Sequence, residues 1–129
     1  MLGDEFGCTV LALRRHRDDP DHRCVVLRWD GTSWASSAIP NDEARSGHPL
    51  WARGLADILW GGMVEGSELV ARLERSHRVH ERHDASRFAA LTHYIVLTKE
   101  RTVEVAAETF TIERREGSTL EAAIAAYNR

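Results

Sequence analysis

Cysteine, proline and lysine are scarce in this 129-residue chain: two, three and one (Lys99). Cys8 and Cys24 form no CxxC pair, which removes zinc-ribbon and thioredoxin-type readings. If residues 8–14 and 24–29 pair as antiparallel strands, the two sulfurs fall at opposite ends of the ladder, beyond the ~7 Å Cα limit of a disulfide. Both then read as buried small apolar residues in a reducing compartment. No run approaches the ~20 apolar residues of a membrane-spanning helix. Residues 1–6 have no basic, apolar leader pattern, so the expected location is the cytoplasm. A net charge of −3 argues against a partner held through its phosphates. There is no GxGxxG, no Walker A run, no Gly-x-Ser-x-Gly elbow and no internal repeat.

What is present is the composition of a globule: 43% hydrophobic and 29% charged residues. A chain of this length can bury a core without staples and is expected as one domain over residues 1–129. Apolar residues on both faces of Cys8–Arg14 predict a central strand. Arg15–Arg23, charged and containing Asp19-Pro20, reads as a solvated loop. Cys24–Trp29, Asp30-Gly31 and Thr32–Ala35 predict a two-residue type I′ hairpin with Leu27 opposite Trp34. Residues 39–48 predict a long loop, and long loops are often functional. Behind Pro49, the spacing of Trp51, Leu55, Ile58 and Leu59 predicts a helix ending at Gly61-Gly62, with Trp60 off its apolar face.

Ser67 predicts the cap of a longer second helix. Tyr94–Leu97 and Thr102–Ile112 read as paired strands across Thr98–Arg101, with a helix over 99–110 as the competing reading. Ser118 predicts the cap of a last helix, Thr119–Asn128, with Leu120, Ala123, Ile124 and Tyr127 inward. The order gives an α+β fold: an antiparallel sheet, from an N-terminal meander and a later hairpin, with two central helices and a C-terminal helix on one face.

The second helix carries the sharpest anomaly. At ~100° per residue, Leu69, Val70, Leu73, Phe88 and Leu91 form one stripe, and His77, His80 and Asp84 fill its middle. On a continuous rod, Asp84 could accept a proton from His80 four residues earlier and fix its tautomer, leaving His80 as general base and His77 as acid or second ligand. Two nitrogens and one oxygen are also a ligand set for a divalent metal, although His-x-x-His departs from the i,i+4 spacing of helical zinc pairs. The competing reading breaks the rod near residues 83–86, with Asp84 or Ser86 as a new N-cap, and leaves the histidines on the surface.

Other features are weaker. His22-x-Cys24 offers a soft ligand, but a loop histidine beside a core cysteine is the favoured reading. His48 precedes the predicted helix start at Pro49, and His93, before a strand, could lean toward the second helix. Arg72, Arg75, Arg78 and Arg82 resemble a patch for an acidic partner, while the interleaved Glu68, Glu74 and Glu81 also suit an ordinary solvated face. With no catalytic motif and an off-face Trp60, the leading expectation is a small protein-binding module, an accessory, regulatory or inhibitory subunit with a protein partner or a second copy. The alternative is an enzyme or a metal- or ligand-binding domain built on His77, His80 and Asp84.

Overall fold

A computed structural model describes residues 1–3 and 7–128. The elements in chain order are β1 (Leu2–Gly3), β2 (Thr9–Leu13), β3 (Cys24–Asp30), β4 (Trp34–Ala38), β5 (Gly61–Val64), α1 (Glu68–His77), α2 (Ala85–Ala89), β6 (Thr92–Leu97), β7 (Thr102–Ala107), β8 (Thr109–Arg115) and α3 (Thr119–Tyr127). The fold is α+β with antiparallel pairing, arranged as two four-stranded sheets rather than one: β1-β2-β3-β8 and β4-β7-β6-β5. The chain forms two compact units, Met1–Thr32 with Ala107–Arg129, and Ser33–Ala106.

In the first unit β2 is central, as its two apolar faces require, and pairs with β3 from Thr9↔Trp29 to Leu13↔Val25. Val10 and Val26, fully buried, join Cys8, Cys24, Ala122, Ala123 and Ala126 in one core. Neither cysteine forms a disulfide, and both are buried. Ser118 caps α3 by accepting from the Glu121 amide at 3.1 Å. The helix turns Ala122, Ala123 and Ala126 inward with Tyr127 packed beside them, and leaves Leu120 and Ile124 exposed, 63% and 45%, which corrects those two positions of the expected apolar face. Small residues let the helix backbone lie close to the sheet, and there the Arg28 guanidinium donates to the terminal carbonyls of Ala126 and Tyr127.

The Asp30-Gly31 hairpin is not formed. Gly31 does take a positive φ of 65°, but β3 already has β2 on one side and β8 on the other, with Trp29 opposite Phe110. With both edges of β3 occupied, β4 pairs instead with β7 in the second sheet, where Trp34 faces Ala106. The stretch 102–112 is extended, as expected, and is interrupted at Glu108 into β7 and β8.

In the second unit the expected helix behind Pro49 is also absent. Two single 3₁₀ turns, Trp51–Arg53 and Leu55–Asp57, meet at Gly54, whose φ of 116° ends any right-handed run. Leu59 is therefore 92% exposed, and Gly61-Gly62 opens an edge strand instead of ending a helix. Leu55, Ile95 and Leu97 form one core cluster here, with Leu50, Trp51, Ile58 and Val64 against them.

Candidate functional site

The second helix breaks, and with it the proposed histidine–aspartate face. Helix α1 stops at His77, and Asp84 starts α2 as its N-cap, accepting from the Ser86 amide at 3.0 Å and the Ser86 hydroxyl at 2.7 Å. A short polar side chain followed by small helix formers makes a better cap than helix interior, so the local preference outweighs the stripe. His80 lies exposed in the intervening turn, its Nδ1 accepting from the Arg82 amide at 3.0 Å. Asp84 therefore does not orient His80.

Only part of the cluster comes together. The His77 and His80 rings stack at 5.1 Å, and His77 Nδ1 meets His83 Nδ1 at 2.9 Å. His83 Nε2 donates to Glu74 at 2.9 Å, which leaves its Nδ1 as acceptor and makes His77 the Nδ1–H donor. Partial burial first, then the neighbouring His80 and His83, hold the His77 ring below the ordinary imidazole pKa. Among the described residues no group of three His, Cys, Asp or Glu side chains is placed to hold a metal ion. The metal set His77, His80 and Asp84 is not assembled.

A different polar constellation occupies the Ser33–Ala106 unit. Glu104, on β7, accepts from His93 Nε2 at 2.9 Å through one oxygen and from His48 Nε2 at 3.3 Å through the other. The proton positions follow from the partners. The Leu50 amide donates to His48 Nδ1 at 3.0 Å, so the ring proton of neutral His48 is on Nε2. Ser67 Oγ, which caps α1 by accepting from the Val70 amide at 3.1 Å, stands 2.7 Å from His93 Nδ1. With His93 Nε2–H committed to the carboxylate, neutral His93 accepts the Ser67 hydroxyl proton. The chain of donors runs Val70 to Ser67 to His93 to Glu104, and Leu50 to His48 to Glu104. The His93 N–H first, opposed by burial and reinforced by His48, holds the Glu104 carboxyl below the usual carboxylate range.

This network floors an open cleft of about 660 Å³. Its walls are largely apolar, including Ile39, Pro40, Leu50, Val64 and Leu69, and its rim carries Trp34, Arg53 and Arg72. Trp34 is 39% exposed, and the Arg72 guanidinium lies over its ring, 5.5 Å from the centroid. Arg75 binds Glu68 at 2.6 Å; that contact first, with Arg72 and Arg53 adding to it, holds the Glu68 carboxyl low. Three arginines thus surround one carboxylate on a chain whose net charge is negative.

One element of this site is visible in sequence, the Ser67 cap; the lean of His93 toward α1 is one of two placements the sequence leaves open. The join to His48 and Glu104 is not, because it spans 56 residues and depends on β7 lying beside β6. Compared with family models, with curated proteins and with solved structures, the chain matches none.

Proposed function

We propose that the protein is a binding module, an accessory or inhibitory subunit, that takes an acidic partner segment with an apolar anchor into the cleft of the Ser33–Ala106 unit. The observation that carries this reading is the rim, where a half-exposed Trp34 lies under Arg72, with Arg53 exposed on the same lining. Tryptophan and arginine are the residue types that dominate interface hot spots, and an aromatic at the mouth of an apolar cleft offers contact area at little entropic cost. The two imidazoles in the cleft favour recognition over chemistry by His48, whose ring nitrogens are both committed within the protein.

The test uses the charge-reversed variant Arg53→Glu/Arg72→Glu. Purified from source cells, the wild-type protein is expected to carry one stoichiometric partner, recovered less at higher salt and lost in the variant. Recovery of the same protein by both, or of none by either, contradicts the reading.

A further inference from the structure

Ser67 has a second side. Beyond His93 it opens on a separate hollow of about 510 Å³ within the same unit, walled by Val64, Val70, Ala71, Phe88 and Leu91. The hydroxyl sits where β5 turns into α1, directly after Gly66, whose φ of 59° makes the turn sharp. Its neighbour His93 is only 4% exposed and is held by the Glu104 carboxylate on its far nitrogen. A hydroxyl, an imidazole and a carboxylate in line, at 2.7 Å and 2.9 Å, are the parts of a base-activated nucleophile. The usual roles of the two ring nitrogens are exchanged, which leaves the proton path intact.

We propose that Ser67 and His93 form a nucleophile–base pair that accepts the acyl group of small apolar carboxylic esters, with Glu104 as the positioning residue. Ser67 Oγ bonds to the carbonyl carbon as its proton passes to His93 Nδ1. The carbonyl electron pair moves onto oxygen at the start of α1, where Glu68 lines the hollow and its amide has no intrahelical acceptor. The intermediate collapses and breaks the bond to the alkoxy oxygen, which takes the proton from Nδ1 and leaves as an alcohol. Water, deprotonated by the same nitrogen, then attacks the acyl carbon; the bond to Ser67 Oγ breaks as Nδ1 returns the proton to that oxygen, and the carboxylic acid is released. The apolar walls admit a short alkyl or aryl acyl group, and the carboxylates on the lining, Glu68 and Glu74, disfavour an anionic one.

The activity shares His93 and Glu104 with the partner cleft, but its test does not involve the partner. The protein is treated with a short-chain alkyl fluorophosphonate, in which serine displaces fluoride at phosphorus, and is read by intact mass and peptide mapping. One adduct on Ser67 is expected, with hydrolysis of p-nitrophenyl butyrate lost in parallel. Ser67→Asn, which keeps a side-chain acceptor for the cap, gives no adduct. His93→Gln slows labelling about 100-fold, and Glu104→Gln slows it and alters its pH profile. No adduct on the wild-type protein, an adduct only elsewhere, or a Ser67 adduct formed equally fast in His93→Gln overturns the proposal.

Discussion

Glu104 receives the His93 ring at 2.9 Å from a residue only eleven positions away, across the hairpin of two neighbouring strands. That contact ties the cap of α1 to the sheet, because the opposite nitrogen of the same ring reaches Ser67. Glu104→Ala strands the N–H of an almost fully buried imidazole and is expected to cost about 1–3 kcal/mol of stability. Glu104→Gln keeps an acceptor and is expected to cost less. Urea unfolding of the two variants checks the order.

The pH dependence has a definite sign. The His77 ring titrates below the ordinary imidazole value, so the unfolded chain binds more protons there and stability falls as pH drops below about 6.5. Glu104, Glu74 and Asp84 titrate below their ordinary values. Their contribution is present above the unfolded carboxylate range, near pH 4 to 4.5, and is lost as pH falls through the folded values. Melting temperature measured from pH 8 to 3 is expected to decline in two stages, and His77→Gln to remove the first.

Gly54 provides a backbone test free of packing. A Cβ there meets nothing within 4 Å, yet the φ of 116° is one that side chains resist. Gly54→Ala is expected to destabilise by about 1–2 kcal/mol, whereas a helix through residues 50–60 predicts the opposite sign. Chemical denaturation distinguishes them.

The orientation of α3 makes a paired prediction. Ala126, fully buried, has no room for a larger side chain, and Ala126→Leu is expected to cost about 1–3 kcal/mol. Leu120→Ala removes a mostly exposed group and is expected to change stability by less than about 0.5 kcal/mol. The reverse order places the helix the other way round.

What the sequence discloses here is local. Ser67 and Ser118 declare helix starts because a cap needs only its own next three residues, and Asp84 does the same for α2. The extended stretches at 9–13, 24–30 and 92–97 show themselves by alternating or β-rich residues. Where competition between distant segments decides, the pattern misleads. Asp30-Gly31 has hairpin chemistry, but β8, eighty residues on, holds the edge that β4 would need. The stripe from Leu69 to Leu91 is helical in period, yet each half caps itself, and a periodicity cannot show that the rod between them is broken. His93 and Glu104 meet through the order of β6 and β7, and His48 reaches the same carboxylate from the loop before the 3₁₀ turns, a meeting that no local pattern announces.

The cleft rimmed by Arg53 and Arg72 is proposed as a docking site for an acidic, apolar-anchored segment. Its most direct measurement is a two-dimensional amide NMR titration with short peptides in which a Leu or Phe is flanked by Glu and Asp. Saturable shifts at the Trp34 indole, Arg53, Arg72 and Leu69, abolished by Arg53→Glu/Arg72→Glu, are the predicted result. Shifts confined to other faces, or none at millimolar peptide, contradict it.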